Sequence, residues 1–303
     1  MLTVVILTFN EDRHLARCLD SIRQIANRIV IVDSFSTDGT LGIAEEYGCA
    51  ILQNKFVNQS VQFQWGLEHA EINTPWVMRL DADEVLEADL QAEISQKLPT
   101  LDEGIAGVNL KRKHIFMERW IRHGGRYPLL LLRIWRNGQG RVENRWMDEH
   151  IVVWGGRTVT FDGSFADHNL NDLSYFTDKH NKYATREAIE VINQKHSLFE
   201  NDKKMSIKST SKQAAAKRWV KENIYNNLPF CLAPLGYFLF RYIIQFGFLD
   251  GKEGLIYHFL QGFWYRFLVG AKVEELELAM STCKTTDSRR LVLESITGYK
   301  LGR

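Results

Sequence analysis

The sequence predicts an α/β protein: a doubly wound, mostly parallel sheet with a mixed extension, followed by a C-terminal helical region that associates with a membrane. Three observations carry this. The first 80 residues alternate short β-branched runs with segments of helical periodicity. Those runs are apolar on both faces, as in strands covered by helices on either side. Two long apolar and aromatic stretches are confined to residues 228–270.

Residues 3–8, TVVILT, form a continuous strand-like run, and residues 12–25 place Leu15, Cys18, Leu19 and Ile22 at helical spacing. Residues 28–32 read as a strand, 41–47 as a helix, 50–52 as a short strand, 60–70 as a helix and 76–80 as another strand. Such a β-α-β-α series implies parallel strands joined by right-handed crossovers. Residues 105–111, 129–136 and 150–154 read as strands separated by the turns HGGRYP, RNGQGR and WGGR, extending the same sheet. Residues 174–195 form a polar helix, and residues 203–221 carry seven basic side chains and no acid. Residues 228–249 are almost wholly apolar, DGKEG makes a turn, and residues 255–270 are apolar again. The expected division is a catalytic domain over 1–170, a basic helical connection over 171–227 and an apolar helical hairpin with a last helix over 228–303.

The bulk composition narrows the function. The chain has 303 residues, 45% hydrophobic and 25% charged, enough for a proper core. A formal charge of +1 gives no general polyanion signal, so no nucleic-acid partner is expected. Four scattered cysteines without CxxC spacing argue against a zinc site or a disulfide framework and for a reducing compartment. MLTVVILTFNED has no basic leader character and reads as a core strand, which points to the cytosol.

In a parallel sheet the strand C-termini share one edge, where ligands bind. The first strand ends in TFNED, the second in VDSFSTDGT and the strand at 76–80 in DADE. Helix capping explains any one of these acids, but three acidic clusters on one edge make a ligand site. No GxGxxG or GxxxxGKS is present, so a diphosphate there needs a bridging hard cation, Mg²⁺ or Mn²⁺, on carboxylate oxygens. Asp33 and Asp38 also suit ordinary turn chemistry.

VVILTFNEDRHLARCLDSI, IVIVDSFSTDGT and WVMRLDADE, in that order and spacing, resemble the family 2 inverting nucleotide-sugar glycosyltransferases of the A-type fold. WMDEHI, DHN and the C-terminal stretches resemble a bacterial subgroup that builds lipopolysaccharide core or surface polysaccharides. The resemblance implies that Thr8, Asn10 and Glu11 line the nucleotide pocket and that Asp33 contacts base or ribose. It implies that Asp81 touches the ribose or the metal's waters, that Asp83 ligates the metal, and that His168 is a further metal ligand. The general base would be Glu149 or its neighbour Asp148, of which one alone can face the cleft if the segment is a strand. Trp146 beside them suits stacking on an acceptor sugar. The implied donor is a nucleoside diphosphate sugar, with UDP as the default nucleotide, and the acceptor a glycan or lipid-linked sugar. The anionic inner face of the cytoplasmic membrane is the expected docking surface, through residues 228–270 and the basic stretch, with Tyr242, Tyr257, Trp264 and Tyr265 near the headgroups. A homo-oligomer, in which these apolar arms meet a second subunit, is the alternative. A phosphoacceptor receiver and a non-catalytic membrane-docked module are the rival classes.

Overall fold

The computed structural model describes residues 1–143, 150–199 and 232–301. Asp148, Glu149, Trp146 and the basic stretch at 203–221 lie outside the described residues. The chain divides into two compact units, with the boundary after Asn171.

The first unit opens as the periodicity requires: β1 (Leu2–Thr8), α1 (Leu15–Ile22), β2 (Arg28–Asp33), α2 (Thr40–Glu46), β3 (Ala50–Gln53), α3 (Gln59–His69) and β4 (Trp76–Asp81). It continues through β5 (Glu84–Leu86), α4 (Ala88–Lys97), β6 (Ile105–Phe116), β7 (Arg119–Trp120), β8 (Leu129–Arg136), β9 (Gly140–Val142), β10 (Ile151–Val153) and β11 (Arg157–His168). The main sheet runs β3-β2-β1-β4-β8-β6-β11-β5, with β7 paired to β6. The first four strands of that order are parallel, and β8 enters antiparallel to both β4 and β6. A receiver sheet is wholly parallel, so the antiparallel β8 removes that reading.

Alternation along β1 explains the two layers. Leu2, Val4 and Ile6 pack with Leu15, Cys18, Leu19 and Ile22 of α1 on one face, while Val5 joins Phe63 of α3 on the other. The helix α3 starts on Asn58, whose side chain accepts from the Val61 N–H. It seats directly on β2, because a Cβ at Gly66 would come within 2.6 Å of Val32 Cγ2.

Two departures from the sequence reading matter. The strand expected at 150–154 does not extend the main sheet; it pairs with β9 in a separate antiparallel ribbon. The sheet also curls. Only Ala82 and Asp83 separate β4 from β5, yet β8, β6 and β11 lie between them in the strand order. Four strand spacings in a flat sheet amount to about 19 Å, whereas three residue steps reach at most about 11 Å. The sheet closes that gap by splaying: β4 pairs with β8 only from Trp76 to Met78. The ends of β4, β8, β6, β11 and β5 therefore surround one space.

The second unit is helical: α5 (Leu173–His196), α6 (Leu232–Leu239), α7 (Gly251–His258), α8 (Tyr265–Met280) and α9 (Thr286–Thr297). Asp172 caps α5 by accepting from the Tyr175 N–H at 2.8 Å. The small and branched face of α5, Ala188, Ile189 and Ile192, packs on Val273, Leu276 and Met280 of α8 and Leu293 of α9. Lys179 and Arg186 lie over the Tyr183 ring, and Arg186 donates to the Tyr299 hydroxyl at 3.1 Å.

The apolar segment does not turn where the sequence suggested. The chain bends at Phe246, in the left-handed region with φ 59°, and DGKEG instead leads into α7. Wide π-type turns at Phe240–Ile244 and Phe259–Trp264 interrupt the two arms. Among the described residues no single helix is long and apolar enough to cross a membrane; Leu232–Ile244 and Gly247–Met280 form a pair bent by 74°. Arg241 is buried, over the rings of Tyr237 and Tyr257. Tyr257 and Tyr265 are buried as well, so neither takes the headgroup position expected for it.

Candidate active site

Because β1, β2 and β4 are parallel, Thr8, Asp33 and Asp81 end on one edge. Thr8 and Asp33 are register partners, and Thr8 Oγ1 donates to Asp33 Oδ1 at 2.9 Å. Asp33 also accepts from the Ser36 N–H at 2.9 Å, the Ser36 hydroxyl at 2.5 Å and Gln53 Nε2 at 3.2 Å. Burial alone would push its carboxyl up; the donors from Ser36, Gln53 and Thr8 outweigh it and hold the group below its ordinary range. Asp33 and Thr8 are thus buried organisers of the loop.

The loop they organise is polar at its base and aromatic at its rim. Asn10, at φ 56°, donates its N–H to Ser36 Oγ and accepts from the Thr37 N–H, both at 2.9 Å. Phe9 and Phe35 remain exposed beside it. Asp38 accepts from the N–H and hydroxyl of Thr40 and from the Asp12 N–H, the turn role open to it from sequence. Glu11 holds His14 Nδ1 at 2.7 Å, and His14 Nε2 accepts from the Leu170 N–H at 2.9 Å. That assigns the His14 proton to Nδ1 and ties Glu11 to the segment after β11.

In DADE the acids divide by role. Glu84 is 1% exposed, accepts from the Asp81 N–H at 3.0 Å and pairs with Arg133 Nη2 at 2.5 Å. Burial pushes its carboxyl up to about 8 against the pull of Arg133, with Asp81 and Asp167 adding like charge. Asp81 lies 3.4 Å from both Arg79 Nε and Arg133 Nη2. These two guanidinium groups overcome its burial and hold it at about 2. Asp83 stands apart: among the described residues its carboxylate takes one hydrogen bond, from Asn169 Nδ2 at 2.9 Å. Cys18 beneath them is buried, which raises its thiol well above the ordinary value, so it stays protonated and is no nucleophile.

His168 follows closely on this turn, its N–H donating to the Asp83 carbonyl at 3.0 Å. Its Nδ1 lies 3.1 Å from Arg17 Nη1 and its Nε2 3.1 Å from Glu118 Oε1. Arginine has only donors to offer, so Nδ1 accepts and Nε2 carries the proton. His168 becomes a metal ligand by giving up one of these partners, Arg17 at Nδ1 or Glu118 at Nε2. Among the described residues no three His, Cys, Asp or Glu side chains gather as a ligand set. One open carboxylate with a nearby imidazole fits a Mg²⁺ or Mn²⁺ that arrives on a diphosphate, since these ions take one or two protein carboxylates plus phosphate oxygens and water.

His14, Arg17, Arg79, Arg133 and Asn169 were not anticipated as parts of the site. The signal for two of them was present: Arg79 and Arg133 are lone cations inside the apolar runs WVMRL and LLLLRIW.

The model for glycosyl transferase family 2 matches residues 3–187. The chain is 30% identical over 197 residues to the lipopolysaccharide core biosynthesis glycosyltransferase LpsC of Rhizobium meliloti, covering 63% of this chain and 72% of that protein. It is 24% identical over 296 residues to an uncharacterized glycosyltransferase of Rickettsia prowazekii, covering 95% and 91%. The structure of glucosyl-3-phosphoglycerate synthase from Mycobacterium tuberculosis with Mn²⁺, UDP and glucosyl-3-phosphoglycerate aligns at 20% identity over 38% of this chain and 44% of that one. Its TM-score of 0.31 is too low to bear on ligands.

Proposed function

Because the chain belongs to glycosyl transferase family 2, we propose that it moves a sugar from a nucleoside diphosphate sugar, with UDP as the nucleotide, to a glycan hydroxyl with inversion. The observation that carries this reading is Asp83: alone among the DADE acids it is not held by a buried arginine, and it sits at the ligand-binding edge of the parallel strands. Phe9 and Phe35 offer faces to the base, with Asn10 and Glu11 lining the floor below them. Asp83, with His168 once it has given up Arg17 or Glu118, would hold the cation. A bound Mg²⁺ or Mn²⁺ supplies Lewis-acid stabilisation of the departing diphosphate. Glu149, with Asp148 beside it, takes the proton from the acceptor hydroxyl as that oxygen attacks the anomeric carbon from the face opposite the leaving group. The name of the LpsC relative supports a lipopolysaccharide-core or lipid-linked acceptor.

Such an acceptor places the enzyme at the inner face of the cytoplasmic membrane. Support comes from the exposed apolar surface between α6 and α7, where Ile244 is 63%, Phe246 56% and Leu249 53% exposed, together with the seven cations of residues 203–221. Arg241 and the bend fit a segment lying in one leaflet.

The test is a thermal-shift screen of nucleotide sugars with and without Mn²⁺, followed by the anomeric configuration of the product. A donor that stabilises the chain only with metal, and a product of inverted configuration, are expected. Retention of configuration, or stabilisation by no nucleotide sugar, would overturn the reading.

A further inference from the structure

The side of the crevice away from β1 and β2 is edged by the β6–β7 turn and the loop after it, residues 116–128. Glu118 in that turn lies 3.1 Å from His168, and Asn169, the next residue, holds Asp83. The loop therefore borders the carboxylate on which the donor chemistry rests. It carries Arg119, Arg122, His123 and Arg126 against the single acid Glu118.

The cations on the strand leading into it are engaged. Lys111 pairs with Asp162, Arg112 with Asp167 and Lys113 with Glu87. Arg122 differs. It is exposed, it pairs with no carboxylate among the described residues, and its guanidinium lies over the Trp120 ring, 5.3 Å from the centroid. Trp120 is itself held: Lys113 Nζ lies 4.7 Å from the same centroid, and the Tyr127 ring meets it edge-on at 4.9 Å. The indole N–H of Trp120 is shielded from solvent and has no acceptor among the described residues, and a buried donor of that kind calls for a partner. A guanidinium presented on a fixed aromatic platform suits a phosphate or carboxylate, whose oxygens take its donors two at a time. A neutral sugar offers it no charge.

We propose that residues 116–128 are the acceptor-specificity element and that Arg122, on its Trp120 platform, binds an anionic substituent, phosphate or carboxylate, of the acceptor glycan. This rests on the transferase reading above.

The test is isothermal titration of the full chain, loaded with UDP and Mn²⁺, with glucose, glucose 6-phosphate and glucuronate as probes. At least one anionic sugar should bind about tenfold tighter than glucose, the scale of one charge-assisted contact. The preference should vanish in Arg122→Ala and persist in part in Arg122→Lys, with UDP affinity unchanged in both. Which anionic sugar is preferred separates phosphate from carboxylate. Equal binding of all three probes, binding of none, or a preference that survives Arg122→Ala would overturn the proposal. Failure of UDP to bind would overturn the donor reading instead; the probes are then titrated into the unloaded chain, and the same Arg122 comparison decides.

Discussion

Arg133 Nη2 meets Glu84 Oε1 at 2.5 Å with the two side chains only 7% and 2% exposed. The pair bridges β8 to β5 across the place where the sheet splays, and Glu84 also accepts the Asp81 N–H, so it sets the turn that presents Asp83. Removing one member leaves the other without its shortest buried hydrogen-bond partner, which costs about 1–3 kcal/mol. Glu84→Ala and Arg133→Met should each lose about that much stability in urea unfolding, and the double variant Arg133→Met/Glu84→Leu should recover most of it. Single losses below about 1 kcal/mol would mean the pair does not hold the turn.

The two acids that share Arg133 predict opposite pH dependences. Asp81 is held at about 2 against an ordinary 3.8, so its contribution is present above 3.8 and is lost as pH falls from there to about 2. The shift corresponds to roughly 2 kcal/mol. Glu84 is raised from 4.5 to about 8, so its contribution is full below 4.5 and lost as pH rises to about 8. Melting curves against pH should lose the acid step in Asp81→Asn while keeping the alkaline one.

Asp83→Ala should fold normally, since the side chain is partly exposed and its one hydrogen bond is to Asn169. Its metal-dependent transfer should fall by about 100-fold or more, the scale of a lost Lewis-acid contact. Mn²⁺ titrations of turnover check this, and near-normal rates in Asp83→Ala would end the metal reading. Asp81→Ala should also lose transfer; unlike Asp83→Ala it releases Arg79 and Arg133, so its melting temperature should drop.

Glu149→Gln should bind UDP and Mn²⁺ normally yet turn over about 10²–10⁴-fold more slowly, because an amide takes no proton from the acceptor. Single-turnover rates beside binding isotherms separate the two effects. The same phenotype in Asp148→Asn, with Glu149→Gln active, moves the base by one residue.

Membrane docking is tested on the intact chain, because α8 carries the core of the second unit and truncation before residue 228 would remove it. Replacing Ile243, Ile244 and Phe246 with serine removes exposed apolar surface that would bury about 1.5–3 kcal/mol per side chain in a leaflet. Flotation with anionic liposomes should be strong for the native chain and largely lost in this triple variant. Equal flotation of both proteins would rule out docking through this segment.

By itself the sequence determined the four parallel strands from β3 to β4, the acids at their shared edge and the apolar character of residues 228–270. Each rests on a period of 2 or 3.6 or on a continuous apolar run, properties of residues close together in the chain. Tertiary structure alone decided which acids are free to act. Asp33, Asp81 and Glu84 look equivalent as letters. Partners as distant in sequence as Arg133 from Glu84, or Thr8 from Asp33, neutralise or occupy them. Those partnerships arise because the sheet curls and because β8 runs against its neighbours, and no local pattern encodes a pairing across 49 residues. The turn at Phe246 was hidden for a similar reason. Burial of Arg241, Asp250 and His258 around it is settled by packing between arms, while the glycines of DGKEG suggested a break where the chain begins a helix.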